Sequence, residues 1–512
     1  MNSIVLLLAV IVVTLLFIRF RRRQFILPPG PKPITLVGNV LDLTSRELWL
    51  RASEWARCYG DIVYLHVFGQ GLLFLNTYEV AIDLLERKGS IYSDKPRLVM
   101  AGELCGCENM VAFTRYGDKA RRQRRLMVKA LGPNAIPNYH TLLEVETQQL
   151  LKRLADDPKN YETHVRRYAG TLTLLVVYGY RVTSNDDLFV NLAEECVDIL
   201  SNRIASGGGI WPVDVFPFLR YLPLWFPGAG FKRKAIQWKA RMQEFTDKPY
   251  ELVKSRMREG TATPCFCTTL LEEMSEKHEK FAEQDFDLRW TANSMYSASL
   301  DTTVTVVLHF FLMMLQHPEV AKKAQKEIET VVGADRFPTF ADRVSLPYVD
   351  AVMSEVLRWG TPVPLGLPHR LMEDDIYNDM HIPRGTLVFG NVWNMTRNPD
   401  VFPNPDAFHP ERYMEKVDDA TAHRRDPRNV IFGFGRRRCP GSHLIESSLW
   451  IVITSFLATF DIKKAVDEHG EIIEPAVVFE NAVFRTPNTF PCDIQPRSAR
   501  AMALIREQSA SI

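Results

Sequence analysis

Charge of one sign is what this chain lacks most plainly. Its 62 lysines and arginines face 61 aspartates and glutamates, a formal net charge of +1, and the two signs are interspersed along the whole length. A nucleic-acid binder shows a basic excess or stripe, so that class is set aside. Cysteine is scarce, eight in 512 residues, and no spacing reads as a zinc site. Cys105 and Cys107, like Cys265 and Cys267, stand one residue too close for the usual CxxC ligand pair. Reduced thiols of a cytosolic compartment are the ordinary reading for all but one of them. There is no internal repeat, no long low-complexity segment, and no flavin or nicotinamide fingerprint. What is plentiful is apolar surface, 46% of residues, enough for a large core. The length allows two or three domains or one large one, and nothing forces a split.

Residues 1–23 read as a membrane anchor. Ile4 to Ile18 is apolar except for Thr14, and Arg19, Arg21, Arg22 and Arg23 follow at once. Met1 and Phe20 extend the run to a length that can span a bilayer. A cleaved signal carries its charge before the apolar run and a small-residue site after it; here the charge comes after. The positive-inside rule then keeps the body cytosolic, and the thin span suits the endoplasmic reticulum. The expectation is a single-pass protein of that membrane. Residues 24–33, with Pro28, Pro29, Pro31 and Pro33, form a semi-rigid hinge. The functional body is 34–512.

In the body, alternation across Asp61–Asn76 around Gly69-Gln70-Gly71 reads as a β-hairpin. Helical spacing recurs at Tyr78–Lys88, Asp118–Leu131, His140–Leu154, Val165–Tyr180, Asp187–Ala205, Phe286–Gln316, Val320–Val332 and Tyr348–Trp359. Short β-rich pieces fill Pro362–Val392. A last helix covers about Gly441–Phe460, and hairpin-like segments close the chain. The fold class is therefore mainly α with smaller β portions. Trp211–Gly230 stands apart: eight large apolar residues, Phe216 to Phe226, sit among Pro212, Pro217, Pro223 and Pro227. Prolines this dense exclude a regular helix. Such a loop is either buried or dips into the bilayer, and the second is favoured.

One cysteine is different. Phe432-Gly433-Phe434-Gly435-Arg436-Arg437-Arg438-Cys439-Pro440-Gly441 places Cys439 in a glycine- and arginine-rich turn just before a helix. Helix N-termini and nearby cations favour thiolate, glycines let backbone N–H groups approach the sulfur, and a thiolate so held suits the axial position of a haem iron. Arg437 could pair with a haem propionate. The segment resembles the cytochrome P450 signature Phe-x-x-Gly-x-Arg-x-Cys-x-Gly at every fixed position, Phe432, Gly435, Arg437, Cys439 and Gly441.

Further segments fit that resemblance in order. Glu355-Val356-Leu357-Arg358 looks like the family's Glu-x-x-Arg, and Pro410-Glu411-Arg412-Tyr413 like the motif whose arginine joins it; the resemblance implies a structural lock. Ala298-Ser299-Leu300-Asp301-Thr302-Thr303 resembles the acid–threonine pair that handles oxygen and protons, which makes Asp301 and Thr302 the implied catalytic residues. Ser299 stands where glycine is usual. Tyr116–Arg125 resembles the Trp-Arg-x-x-Arg helix with Ala120 in place of tryptophan, leaving Arg121 and Arg124 to face the haem. Arg122, Arg125 and Lys129 form a second face, either solvated or docking an acidic electron donor. Pro364–Arg370 resembles the strand whose histidine, here His369, meets a propionate.

The resemblance runs from Pro28 to about residue 500 and looks most like microsomal fungal members that tailor secondary metabolites. It implies a cytochrome P450 fold behind one transmembrane helix. The cofactor would be haem b with Cys439 on the iron, the oxidant O2, and the electron source NADPH through a separate cytochrome P450 reductase. Expected substrate-facing segments are Arg97–Arg115, Ile204–Trp211, Met295–Ser299, Pro362–Leu367 and Asn481–Phe484. They are mostly apolar, which suits a small apolar metabolite, a terpenoid first and a polyketide or fatty acyl chain second. A reductase-independent isomerase or dehydratase is the competing enzyme, and a haem sensor or carrier the competing non-enzyme. An intact Asp301–Thr302 pair argues against both.

Overall fold

The computed structural model describes residues 26–43, 47–184, 186–204, 211–277, 281–480 and 483–509. The expected anchor and parts of two expected substrate-facing segments, 205–210 and 481–482, lie outside them. The longer elements begin with α1 (Leu48–Tyr59), β1 (Ile62–Val67), β2 (Gln70–Leu75), α2 (Asp118–Leu131), α3 (His140–Asp156), α4 (Tyr161–Tyr178) and α5 (Leu188–Asp198). They continue with α6 (Gly230–Glu259), α7 (Phe266–Lys277), α8 (Phe281–Gln316), α9 (Pro318–Val331) and α10 (Pro347–Gly360). Strands β3 (His369–Arg370), β4 (Asp375–Tyr377), β5 (Met380–Ile382) and β6 (Leu387–Gly390) follow, then α11 (Ser442–Thr459), β7 (Phe460–Lys464), β8 (Cys492–Pro496) and α12 (Ala499–Ser509).

A helix apolar on every side has to be buried on every side, and α8 is that helix. From Thr303 to Leu315 every residue is buried. Among the described residues it alone is long and apolar enough to span a membrane, yet 78% of its most apolar window is enclosed by protein, so it is the core. It packs along α4 and also against α2, α5, α10 and α11. Local chemistry sets the ends of its neighbours. Asp187 caps α5 by accepting from the N–H groups of Phe189 and Val190 at 2.8 and 3.2 Å. Gly179, at φ +61°, ends α4 where a Cβ would lie 2.7 Å from the Thr263 carbonyl.

The sheet lies beside this helical body in the order β1-β2-β6-β3. The hairpin pairs Ile62 with Leu75 through Val67 with Gln70, and β6 joins β2 in parallel, Leu72 opposite Leu387. Period-2 alternation splits the apolar residues. Val63, Leu65, Val67, Leu72 and Phe74 pack on Ala52 and Trp55 of α1. Ile62, Leu73, Leu75 and Val388 pack with Leu84, Leu85 and Phe434. The sheet thereby touches the segment that carries Cys439.

The expected hairpin and the eight central helices are present, most within a few residues of their expected ends. Three helices went unanticipated: α1, α6 and α7. The charge-rich α6 runs unbroken through Pro249; neighbouring elements bury one face of it and compensate for the missing N–H. The close of the chain differs as well. β7 and β8 do pair, but the last element is α12, which packs on α3.

Candidate haem-thiolate site

The Cys439 segment is a loop closed on itself. The N–H of Cys439 donates to the Phe432 carbonyl at 2.7 Å, and Phe434 is buried against the sheet-side core. Gly435 sits at φ +52°, and a Cβ there would fall 2.4 Å from the Leu85 carbonyl; only glycine permits this approach. The chain then enters α11 at Ser442. Cys439 is exposed, yet burial is the largest influence on its thiol. An opening onto interior space, not the outer surface, satisfies both. Burial pushes the thiol upward, while the N–H groups of Gly441 and Ser442 and the cations Arg124 and Arg438 pull downward without prevailing. A metal ion bound to the sulfur would hold it as the thiolate outright.

Cations gather beside this space. Arg437 donates to the carbonyls of Ser93 and Thr114, both at 2.8 Å. Arg124, from α2, donates to the Arg438 carbonyl at 2.6 Å. Lys95 donates to Leu367 and Pro368 carbonyls at 3.2 and 3.1 Å and is only 5% exposed. Burial, then Arg437 and Arg124, lowers its ammonium to about 7. Burial and Arg124 bring the Arg437 guanidinium down to about 10. The nearest acid is already committed: Asp94 accepts from Arg115 and the Tyr116 N–H at 2.8 Å and from Arg370 at 3.5 Å. One buried and two half-buried cations thus face one another across neutral carbonyls. Such an arrangement is costly unless anions enter it, and the two carboxylates of a haem fit that need. Sequence reasoning missed Lys95, a lone lysine in an irregular segment.

His369 belongs to the same group. Its Nδ1 lies 2.8 Å from the Tyr92 carbonyl, and burial, then Lys95, holds the ring well below its usual pKa, hence neutral. A carbonyl only accepts, so Nδ1 carries the proton, and Nε2 would donate to a propionate only from a charged ring, which an adjacent anion favours. Arg121 does not join them. It is half-exposed, paired with Asp118 at 2.5 Å, and lies over the Tyr116 ring. Asp118, three residues before it and on the same helix face, takes its charge instead.

The lock is complete. Arg358 donates to both Glu355 oxygens at 2.7 and 2.8 Å, Arg412 donates to Glu355 at 3.2 Å, and the His409 N–H at 2.8 Å. Arg358 spends its other donors on the Thr396, Pro405 and Ala407 carbonyls.

On α8, the Thr302 hydroxyl donates to the Ala298 carbonyl at 2.7 Å. Ala298 is exposed and Ser297, Ser299, Asp301 and Thr302 are half-buried, between the buried stretches 291–296 and 303–315, so the helix borders open space here. Ser299, the departure from the family pattern, donates to the Tyr296 carbonyl at 3.0 Å and meets the Thr173 hydroxyl at 2.6 Å. The helix is regular through it. Asp301 pairs with Arg166 at 3.7 Å.

A cysteine presented to interior space, beside cations that form no ion pair with an acid among the described residues, fits a haem-thiolate protein. Residues 28–487 match the family Cytochrome P450. The chain is 41% identical over 502 residues to cytochrome P450 monooxygenase claT of Ampulloclitocybe clavipes, covering 98% of this chain and 97% of that one. It is 42% identical to claR of the same fungus, covering 94% and 89%, and 42% identical to cytochrome P450 monooxygenase 208 of Postia placenta, covering 97% and 96%. The chain belongs to the cytochrome P450 family, and it is an oxidoreductase that incorporates oxygen from O2.

Proposed function

We propose that the protein hydroxylates a small apolar metabolite, a terpenoid by preference, in a fungal secondary pathway, with electrons from NADPH passed through a separate membrane-bound reductase. The observation that carries this reading is the face of α8. Ala298 and Thr302, one turn apart, put a methyl and a hydroxyl on the open side of the central part of this helix, a wall suited to an apolar guest.

The haem, when bound, supplies the redox chemistry that activates O2 and inserts one of its atoms into a C–H bond. Cys439 would ligate the iron, and Arg124, Arg437, Lys95 and His369 would hold the propionates. The Thr302 hydroxyl, free to turn from the Ala298 carbonyl, holds a proton at the reacting side of α8. Asp301 resupplies it, and the apolar residues around them exclude bulk water.

The proposed site of action is the endoplasmic reticulum membrane, reached through the 1–23 anchor and a surface patch. Phe218, Tyr221 and Trp225 are 65%, 72% and 80% exposed. The ring of Phe216 meets Phe68 of the β1–β2 turn at 5.4 Å between centroids, and the Phe68 N–H bonds Val37, next to the exposed Leu36. Such contiguous apolar surface marks a membrane or protein contact.

Turnover of terpenoids, polyketides and fatty acids, with and without NADPH and a fungal reductase, tests this reading. Hydroxylated terpenoid formed only with both supports it. Products formed without reductase would establish the isomerase or dehydratase instead, and acyl-chain products alone would replace the substrate class.

A further inference from the structure

Successive residues on a helix diverge by about 100°, so Asp301 and Thr302 open into different spaces. Asp301 lines a cavity of about 240 Å3 whose walls include neither Thr302 nor Ala298. Its remaining walls are Arg166 of α4, Glu194 and Asp198 of α5, Asn202 just beyond α5, Val304 of α8, and Glu480 and Thr486 from late in the chain. Thr486 is docked on Asp301's own face of α8: it meets Thr305, four residues on from Asp301, through hydroxyls 2.6 Å apart. The cavity is almost wholly polar, and among the described residues Arg166 is its single cation.

Arg166 is bound asymmetrically. It donates to Glu162 at 3.0 Å, a true hydrogen bond, but stands 3.7 Å from Asp301, which is beyond one. The attraction to Asp301 is therefore coulombic, and the carboxylate oxygens stay free to exchange protons with water. Burial raises the Asp301 carboxyl; Arg166 pulls it back, and Glu480, Glu194 and Asp198 push it further up, to about 6. A proton donor works best with an affinity near the working pH, and this balance sets Asp301 there.

We propose that Arg166 is the positioning residue for Asp301, holding its carboxylate in this cavity where it takes each proton from solvent. The inference rests on the reading of Asp301 as the proton donor to Thr302. Insertion of one oxygen atom follows RH + O2 + 2 e− + 2 H+ → ROH + H2O, so every turnover draws two protons from outside. A carboxyl with one side toward solvent and the neighbouring residue on the reacting side can hand them across α8. Glu194, Asp198 and Glu480 raise its proton affinity, Glu162 competes for the arginine, and Arg166 keeps it exchangeable.

Infrared difference titration of the haem-loaded protein isolates the Asp301 carboxyl as the band missing in Asp301→Asn. The expected midpoint is near 6 in the parent protein. It rises by about one pH unit or more in Arg166→Gln, because a neighbouring cation is removed, and returns in Arg166→Lys. Glu480→Gln, a change at an exposed residue, lowers it. An unmoved midpoint in Arg166→Gln overturns the proposal; should that variant fail to fold, an unmoved midpoint in Glu480→Gln does so. Arg166→Gln should also shift the pH profile of product formed per NADPH upward with the same midpoint. If Asp301→Asn leaves that ratio intact while the band still follows Arg166, the relay reading fails and the positioning by Arg166 stands.

Discussion

Two buried charged clusters lie within this fold, and they end differently. Around Glu355 the charges close on themselves: two arginines, one carboxylate and four backbone groups satisfy one another. Around Lys95, Arg124 and Arg437 the donors find only carbonyls, and the one nearby acid is held by Arg115 and Arg370. A cluster that closes has a structural use. A cluster that stays open in charge is built around something the chain does not itself supply. Both involve arginines drawn from distant parts of the sequence, so partner type, not residue type, separates them.

Breaking the closed cluster gives the largest effect. Glu355→Gln leaves Arg358 and Arg412 without a counter-charge in the interior, and loss of one partner of a buried pair costs about 3–5 kcal/mol. The expected outcome is an insoluble or haem-free chain, measured by expression yield and circular dichroism. Next comes Cys439→Ala. Its side chain borders open space, so folding should change by less than about 1 kcal/mol, while the long-wavelength Soret band of the reduced carbon monoxide complex and all product formation disappear. A retained thiolate-type band would remove Cys439 from the proposed ligand role.

The lock and Cys439 were legible in the sequence because each rests on a short local motif. The open cluster was only half legible. Arg437, Arg124 and His369 lie within recognisable segments, but Lys95 joins them through the tertiary approach of residues 95, 124, 369 and 437. Arg121 shows the reverse: spacing put it beside Arg124, and its own neighbour Asp118 took it. Helix positions were legible where apolar spacing was strong. They were not in α6, whose charged faces and Pro249 hide the period. Asp301 was visible as a residue, but its cavity was not, since α4, α5, Glu480 and Thr486 meet it only in the fold.

The open cluster sharpens under Lys95→Met. Its ammonium is depressed to about 7 in the folded protein, so the unfolded chain binds more protons up to its ordinary value near 10. Stability therefore rises with pH across that window, and Lys95 costs stability below it. Lys95→Met should make the haem-free protein more stable at pH 6, with the gain shrinking toward pH 10. It should also release haem about tenfold faster, the loss of one charge-assisted hydrogen bond. Opposite signs in the haem-free and loaded proteins are what an open cluster requires, whereas Glu355→Gln should destabilise both.

Asp301 follows the same logic with the opposite charge. Its folded value near 6 lies above the ordinary carboxylate range, so its favourable contribution is complete only at low pH and is lost as pH rises through 6. Asp301→Asn should raise the melting temperature at pH 8 and lose that advantage near pH 4, a gain of about 1–3 kcal/mol at most. Product formed per NADPH should fall at the same time.

The smallest effect expected lies at the surface, where apolar groups pose the same question of closure. Phe218, Tyr221 and Trp225 stand out from the 216–226 segment, and the prolines that break its backbone prevent it from folding them inward. The Phe216–Phe68 contact ties the patch to the β1–β2 turn. In the full chain the 1–23 segment would dominate membrane retention and mask any contribution from the loop. The chain beginning at residue 26 exposes it: Trp225→Asp should weaken its partition onto phospholipid vesicles by about tenfold, the free energy of withdrawing one large apolar side chain from contact. Val344→Asp, an exposed apolar residue in the segment preceding α10, should leave partition unchanged. Equal partition of both variants with the parent would show that the patch meets something other than lipid, and the membrane role would then rest on the anchor alone.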